Sequence, residues 1–258
     1  AGGVPVCVET RREDQFRLTR EMLERAVTPK TRVLMLNFPC NPTGAILNQA
    51  DVEDISDFCI KHDLLLLTDE IYAELTYDAK HVSFISIPGM KERTIFLHGM
   101  SKAWAMTGFR IGYACAPPEV SENMMKLHQY AIMSAPTTGQ KAAAEALERG
   151  DAAVADMLAE YNRRRNYLIA SFAEMGVPCH TPAGAFYAFP YIGDLGISSE
   201  DFAMRFLEEH NVAVVPGDAF GQCGAGFLRC AYATGMDNIR EAMSRMATFV
   251  THLRLEKK

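Results

Sequence analysis

The hydrophobic residues of this chain follow two patterns that alternate along its first half. Continuous apolar runs with β-branched residues are typical of strands buried in a parallel sheet. Such runs occupy residues 32–37, 63–70, 94–98 and 110–115. Segments with apolar residues at helical spacing occupy residues 19–27, 48–62, 119–132 and 139–148. Because strand and helix alternate, the pattern predicts an α/β fold with a mostly parallel sheet covered by helices.

The first eight residues and the part of the chain after residue 151 depart from this alternation. Residues 1–8 predict a short strand after a turn, and residues 152–175 predict one long helix. We interpret its basic middle, Arg163 to Arg165, as a solvated face. Mixed strand-like and helical segments follow, at residues 186–189, 199–210, 212–215, 227–232 and 236–253. They predict a smaller C-terminal α+β domain at residues 165–258, entered through the long helix, after a large domain at residues 1–164.

Composition and charge narrow the classes of function. The chain has 258 residues and a formal net charge of −6, which gives no electrostatic reason to bind nucleic acid or an anionic membrane surface. Its 7 cysteines are scattered without a C-x-x-C pair, so neither a disulfide framework nor a metal site is indicated. A reducing cytoplasm fits this cysteine usage best. No apolar run approaches the ~18 residues of a membrane span, so we expect no membrane partner.

Three polar residues lie at or just after the ends of predicted strands. Asn41 falls in the turn-forming segment Phe38 to Gly44, Asp69 ends the second apolar run, and Lys102 follows the third. Sheets of this kind bind ligands at the carboxyl ends of their strands. The placement therefore predicts a ligand site there. Taken singly, Asn41 also fits an ordinary turn and Asp69 an ordinary strand end that caps the next turn.

The segment from Ser101 to Tyr113 carries the most specific chemistry. Lys102 stands among apolar and small residues, where desolvation would lower the pKa of its amine and favour Schiff-base formation. Arg110 opens the next strand-like run with a planar, charged fork that suits a phosphate. Together they indicate an aldehyde cofactor with a phosphate tail. A lone Ser-Lys pair would instead be read as a surface lysine beside a structural arginine.

A second arginine, Arg229, lies inside the apolar segment 227–232. A buried arginine needs an anionic partner, because an unpaired buried charge is costly. That partner is either a glutamate of the fold or the carboxylate of a substrate, which a guanidinium binds through two parallel hydrogen bonds.

Four segments, in this order, resemble those of the class I/II aminotransferases, which are pyridoxal-phosphate (PLP) enzymes of fold type I in the aspartate aminotransferase superfamily. The segments are Asn41-Pro42-Thr43-Gly44, Thr68-Asp69-Glu70-Ile71-Tyr72, Ser101 to Tyr113, and the strand around Arg229. The resemblance runs through essentially the whole chain and is strongest over residues 34–118 and 212–236. It implies a homodimeric enzyme that moves an amino group between an amino acid and a 2-oxo acid, with its active site at the subunit boundary.

The resemblance also implies catalytic roles. Lys102 would form the resting aldimine with PLP and, once displaced by substrate, move the proton between the substrate Cα and the cofactor. Asp69 would keep the pyridine nitrogen of the cofactor protonated, so that the ring acts as an electron sink. Asn41 and Tyr72 would donate hydrogen bonds to the phenolate oxygen. The family's fold also uses a cis turn here, so we expect a cis peptide bond between Asn41 and Pro42.

The anion-binding roles follow from the same resemblance. Arg110, with the hydroxyl of Ser101, would bind the cofactor phosphate, and Arg229 would bind the substrate α-carboxylate, with Asn41 as a second substrate-binding residue. One departure concerns the position three residues before Lys102, where many relatives carry a hydroxyl residue and this chain has Gly99. One phosphate contact of the family is therefore not expected here.

The chain begins without a methionine and its first residues read like the middle of a domain. By the resemblance, we expect it to lack the family's N-terminal third. That part carries a glycine-containing loop and a helix N-terminus under the phosphate, the aromatic ring stacked on the cofactor, and part of the small domain. We therefore expect residues 1–258 alone to be an incomplete enzyme with weakened PLP binding.

Three other functions remain open from the sequence. The same site could serve a PLP-dependent C–S β-lyase or another lyase of this fold, since the lysine segment is common to both. The chain could also be the aminotransferase-like effector domain of a transcription regulator. The negative net charge and the intact site residues argue against this alternative. The third alternative is an inert remnant of such an enzyme, without activity. It is supported only by the expected lack of the family's N-terminal third. The identity of the amino acid cannot be read from these residues.

Overall fold

The structure is a computed structural model that describes residues 2–257. It comprises two compact units. The first contains the residues up to Cys40 together with Ala45–Met157, and the second contains Asn41–Gly44 together with the residues from Leu158 onward. This division and the predicted boundary at residues 164/165 both fall within one long helix, Asp151–Glu174. The turn at Asn41–Gly44 thus belongs to the second unit, although its neighbours in sequence belong to the first.

A four-stranded sheet forms the centre of the first unit. Its strands are β1 (Val33–Asn37), β2 (Leu65–Asp69), β3 (Thr94–Gly99) and β4 (Gly112–Cys115), in the spatial order β1-β2-β3-β4. β1, β2 and β3 are parallel, and β4 is antiparallel to β3. The register pairs Asn37 with Asp69 and Asp69 with Leu97, so the carboxyl ends of the parallel strands meet at one edge. The predicted α/β class with a mostly parallel sheet is confirmed.

Helices follow the predicted pattern closely in the first unit. They are α1 (Arg20–Ala26), α2 (Gln49–Lys61), α3 (Pro118–Ala131) and α4 (Thr137–Arg149), after which α5 (Asp151–Glu174) begins. Thr19 caps α1, because its side chain accepts a hydrogen bond from the Met22 N–H at 3.4 Å. α2 begins with a capping box in which Asn48 and Asp51 each accept a hydrogen bond from the other's backbone N–H at 3.0 Å.

Two strand predictions for the first unit are wrong in part. Residues 2–8 form no strand, and Val4 and Val6 are 87% and 67% exposed. β1 is not buried on both faces, since Val33 and Met35 are 45% and 70% exposed. β1 pairs only with β2 within the described residues, so it is an edge strand of the sheet there. An apolar run identifies a strand but does not establish what covers its two faces.

The second unit is a small α+β arrangement. Its antiparallel sheet has the order β5-β7-β6, with β5 at Tyr187–Ala188, β6 at Val215–Pro216 and β7 at Leu228–Ala231. Two helices, α6 (Ser199–His210) and α7 (Met236–Glu256), supply much of its core. The rings of Phe202 and Phe206 on α6 lie 4.9 and 5.5 Å from that of Phe249 on α7. All three residues are completely buried, so this cluster fixes the packing of the two helices.

The strand predicted at residues 212–215 is displaced toward the C-terminus. α6 ends at His210, its C-cap Asn211 adopts the left-handed conformation with φ at 55°, and ladder pairing starts only at Val215. The intervening apolar residues lie outside the ladder, which the sequence pattern does not distinguish from a strand. Among residues 2–257, none of the helices combines the length and the apolar character that crossing a bilayer requires.

Candidate active site

Asp69 lies at the carboxyl edge of the parallel sheet, as the sequence predicts. It is the last residue of β2, and its backbone carbonyl accepts a hydrogen bond at 3.0 Å from Nδ2 of Asn37, the last residue of β1. Its Oδ1 accepts from the Ile71 N–H at 3.1 Å. This is the turn-capping contact of an ordinary strand-end aspartate, and it uses one carboxylate oxygen. Within the described residues the structure shows no partner for Oδ2, which therefore stays available to a ligand.

Lys102 and Tyr72 are brought together by the loops that follow β3 and β2. Tyr72 is 3% exposed, and the Lys102 Nζ lies 5.9 Å from the centre of its ring. A lysine ammonium at this distance from a ring is attracted by the negative face of the aromatic system. Lys102 is itself partly buried, and the next residue, Ala103, is completely buried. The arrangement holds the amine at the sheet edge, next to a buried phenol ring.

The loop that carries Lys102 is fixed at both ends. Met100 and Met106 are buried against Ala143 of α4, and the Met106 N–H donates to the Met100 carbonyl at 3.2 Å. The Thr107 hydroxyl donates to the carbonyl of Ser101 at 3.0 Å. Because Met100 and Met106 anchor the loop by apolar packing, Ser101 and Lys102, which lie between them in sequence, are held in place as partly buried residues.

Arg110 lies outside the strand in which the sequence places it. β4 starts at Gly112, and Arg110 adopts the left-handed conformation with φ at 56° in the preceding turn. Its Nη1 donates to the Thr107 carbonyl at 2.7 Å, which ties the guanidinium to the Lys102 loop. The side chain is exposed and makes no ion pair within the described residues, so it is accessible to an anion.

Arg229 and Asn41 form the candidate site residues of the second unit. Arg229 lies on β7, and its Nη1 donates to Oδ1 of Asn41 at 3.0 Å. The guanidinium carbon lies 4.7 Å from the centre of the Tyr187 ring and 4.8 Å from that of Phe220. Its Nε is buried without a hydrogen-bond partner. In the part of the chain that the structure describes, no glutamate pairs with this arginine. The alternative that Arg229 serves as the partner of a glutamate of the fold is therefore not supported.

The Asn41 turn has the predicted backbone conformation. The Asn41–Pro42 peptide bond is cis, which confirms the expectation, and Phe38–Pro39 is also cis, which the sequence analysis did not anticipate. Within the second unit, Gly44, with φ at 70°, lies so close to Pro182 that an added Cβ would be 2.4 Å from the Pro182 Cβ. The carbonyl of Gly44 accepts hydrogen bonds at 2.9 Å from the Ala183 and Gly184 N–H groups, which explains why this turn packs with the second unit.

Two buried polar pairs beside the site were not foreseen. Glu70, next to Asp69, is 1% exposed and contacts Nε2 of His81 through Oε2 at 2.6 Å. His98, on β3, is 6% exposed and has Nε2 3.1 Å from Oε2 of Glu74. The Gly99 N–H donates to His98 Nδ1 at 2.7 Å, so Nε2 carries the proton and donates to Glu74. A polar, titratable residue within an apolar run, as in Glu70 and His98, is the signal that could have identified both.

Comparison with known proteins places this architecture in a family. The sequence profile described as "Aminotransferase class I and II" matches residues 1–246. The chain belongs to this family. Members of the family use pyridoxal phosphate. The match extends over both units of the structure.

Relatives and solved structures agree with this assignment. The chain is 48% identical to "Putative aminotransferase YugH" of Bacillus subtilis over 97% of its own length and 65% of that protein. It is 49% identical to "Aromatic-amino-acid aminotransferase 2" of Thermococcus litoralis, covering 95% of the chain and 64% of the relative. The structure of the aromatic aminotransferase from Pyrococcus horikoshii matches with a TM-score of 0.96 at 46% identity, over 98% of this chain and 68% of that one. The chain thus spans about 65% of the length of the curated relatives it matches.

Proposed function

We propose that the protein is a PLP-dependent aminotransferase that transfers an amino group reversibly between an amino acid and a 2-oxo acid. The observation that carries this proposal is the position of Lys102, held on an anchored loop beside the buried ring of Tyr72. Its membership of the aminotransferase family supports the same conclusion. When bound, PLP would supply the electron sink for bonds that break at the substrate Cα.

The donor set of the first unit fits such a cofactor. Asp69 offers a carboxylate oxygen without a partner in the described residues, which suits a protonated ring nitrogen. Tyr72 offers a phenol to a ring oxygen, and Arg110 an exposed guanidinium to a phosphate, with Ser101 as a further donor. Lys102 would hold the cofactor aldehyde covalently at rest and would move the substrate proton afterwards. Asp69, Tyr72 and Lys102 are the catalytic residues in this proposal.

The polar pair of the second unit fits an amino-acid substrate. Arg229 offers a guanidinium whose Nε is buried without an acceptor, and a carboxylate would satisfy it. We propose that Arg229 binds the substrate α-carboxylate and that Asn41 assists it. Asn41 accepts the Arg229 hydrogen bond through Oδ1, so its amide NH₂ is the group it would direct to the cofactor oxygen.

Transamination is favoured over the lyase and regulator alternatives because the relatives carry aminotransferase names. Those names include aromatic amino acids and aspartate, which are the two substrate classes to test first. We also propose a homodimer, on the family resemblance, and a cytoplasmic location. The 7 cysteines, all of them free thiols in the structure, support a reducing compartment.

A half-reaction tests this function directly. The purified, PLP-loaded protein is mixed with phenylalanine or aspartate in the absence of a 2-oxo acid, and the absorbance of the cofactor is followed. Conversion of the aldehyde form to the amine form, reversed by 2-oxoglutarate, is the expected result. Stoichiometric release of pyruvate from cysteine or a cysteine conjugate, without conversion of the cofactor, would instead establish the lyase alternative and overturn the proposal.

A further inference from the structure

The guanidinium of Arg229 lies close to two aromatic rings. The guanidinium carbon lies 4.7 Å from the centre of the Tyr187 ring and 4.8 Å from that of Phe220. The Tyr187 ring also packs on that of Phe186, and the Phe220 ring on that of Phe189, with ring centres 4.8 and 6.4 Å apart. We refer to Tyr187 and Phe220 as the aromatic pair. A cation held over two ring faces is attracted by both and has little room to rotate.

The sheet register explains how Tyr187 reaches Arg229. Tyr187 of β5 is paired with Ala231 of β7, and Arg229 lies two residues from Ala231 on the same strand. Residues two apart on a strand point to the same face of the sheet, so Tyr187 and Arg229 are diagonal neighbours on one face. Diagonal neighbours are within reach of each other when both side chains are long or aromatic.

Phe220 comes from a different part of the unit. It ends the short helical turn Gly217–Phe220 that follows β6, and Gly221, with φ at 121°, reverses the chain behind it. A side chain at that position would be strained, because φ near 120° is accessible mainly to glycine. The turn therefore presents the Phe220 ring to Arg229 from a rigid backbone.

The three nitrogen atoms of the Arg229 guanidinium differ in their hydrogen bonding. Nη1 donates to Asn41 Oδ1 at 3.0 Å, whereas Nε is buried without a partner and Nη2 has no hydrogen bond in the described part of the chain. Nε and Nη2 form one side of the planar fork, with the spacing that matches the two oxygens of a carboxylate. Because Nη1 is bonded to Asn41 and two rings lie against the guanidinium, the Nε–Nη2 side is the pair of donors that remains for an anion.

We propose that Tyr187 and Phe220 are positioning residues, which hold Arg229 flat so that its Nε–Nη2 side is ready for the substrate carboxylate. The inference deepens the proposed role of Arg229 and rests on it. Tyr187 and Phe220 each have only two side-chain torsion angles, and both rings contact Arg229. They restrict the arginine side chain in the free protein, so less side-chain entropy is lost when the carboxylate binds. The aromatic pair thus acts on substrate affinity and leaves the chemical step to other residues.

The kinetic test replaces one ring and compares the effects on KM and kcat. Phe220→Leu removes one ring face and should raise KM for the amino acid about three- to thirtyfold, the range of one cation–π contact, while kcat changes less than about twofold. Phe220→Tyr keeps the ring and should restore the wild-type KM. Tyr167→Leu is the control, because Tyr167 is also a partly buried aromatic residue of the second unit but lies on α5, where it lines a surface cleft with Ser171 and Met243.

A second measurement does not depend on activity. The Nε–H resonance of Arg229, assigned by its loss in Arg229→Lys, is recorded in the cofactor-free protein, and its ¹⁵N heteronuclear NOE reports the order of the guanidinium on the ps–ns timescale. We expect a rigid Nε–H in the wild type and in Tyr167→Leu, and a mobile one in Phe220→Leu. Phe220→Tyr should be rigid again, which separates loss of the ring from general destabilisation.

The outcomes distinguish the positioning role from the proposed function. If Arg229→Ala leaves KM unchanged, Arg229 does not bind the carboxylate, and both the proposed role and this inference are wrong. If Arg229→Ala raises KM but Phe220→Leu alters neither KM nor the NOE, only the positioning role is overturned. If Phe220→Leu lowers kcat and leaves KM unchanged, the ring serves the chemical step, which also contradicts the inference.

Discussion

The Nζ of Lys102 lies 5.9 Å from the centre of the Tyr72 ring, at the edge of the sheet where β2 and β3 end. The two residues come from loops that follow adjacent parallel strands, and each loop is anchored by buried neighbours. Ala103 and Leu75 are completely buried on the two sides of this pair. The contact is therefore a consequence of the order of the strands in the sheet, and it fixes the position of the Lys102 amine.

Replacing Lys102 with alanine should abolish both turnover and the visible absorption band of the bound cofactor. The reason is that the amine of Lys102 is the proposed covalent anchor of PLP and the proposed proton carrier. Borohydride reduction of the loaded protein followed by peptide mapping should label Lys102. Lys141→Ala, at an exposed position on α4, is the control and should keep the band. Label on any other lysine would contradict the assignment.

Asp69→Asn should lower turnover by about a hundredfold or more while changing PLP affinity much less. The amide keeps an oxygen that can cap the Ile71 N–H but removes the negative charge, so the variant separates the turn-capping role from the electrostatic one. Cofactor titration and kcat measured on the same preparation provide the comparison. Asp57→Asn, exposed on α2, is the control. Near-normal turnover of Asp69→Asn would show that the charge serves no catalytic purpose.

Much of the first unit could be predicted from the sequence because its signals are local. Apolar runs and capping residues locate strands and helices, and strand ends locate Asp69 and Lys102. Exposure could not be predicted in the same way: Met35 is 70% exposed although its run is continuous, because burial depends on what covers each face. Arg110 likewise lies in the turn before β4 and not in the strand, since the left-handed conformation of a non-glycine residue has no reliable sequence signal.

The second unit shows a different limit. Arg229 was identifiable as a charge within an apolar strand, but its link to Asn41 joins positions 188 residues apart. Its contacts with Tyr187 and Phe220 depend on the register of β5 with β7 and on the turn after β6. Register and turn geometry are set by the folded unit as a whole, so no local pattern indicates them.

Arg229→Ala should reduce kcat/KM for the amino-acid substrate by about ten- to a hundredfold or more, because one charge-assisted contact contributes roughly 1.5–3 kcal/mol. Bound PLP should be retained, since the residue is proposed to contact substrate only. Arg229→Lys keeps the charge without the planar fork, and we expect it to recover only part of the loss. Arg240→Ala, at a half-exposed position on α7, is the control. An unchanged kcat/KM would exclude Arg229 from substrate binding.

Asn48→Ala should lower the free energy of unfolding by about 1 kcal/mol. The substitution removes the oxygen that accepts the Asp51 N–H and so breaks the capping box of α2, whose buried face includes Val52 and Phe58. Urea unfolding followed by circular dichroism measures the change, which should appear in the midpoint with little effect on the slope. Asn48→Asp should recover most of the stability because it keeps an acceptor. Gln49→Ala, which removes an exposed contact with Glu53, should be near neutral.

The last prediction concerns His180, in the segment between α5 and β5. Burial disfavours the charged imidazolium, so the pKa of His180 in the folded protein is lowered from its ordinary value of 6.5. Below that value the unfolded chain binds the proton more readily than the folded protein does. Stability from this group is therefore complete above the unfolded-state pKa and is lost as the pH falls through the window between the unfolded and the lower folded pKa.

His180→Gln should therefore reduce the loss of stability on acidification. We expect the difference in urea midpoint between about pH 7.5 and about pH 5.5 to be smaller in the variant than in the wild type, with the change confined to the acidic side. His252→Gln is the control, because His252 lies on α7 with its side chain 58% exposed. A His180→Gln profile parallel to that of the wild type at both pH values would mean that the protonation of this residue is not coupled to folding.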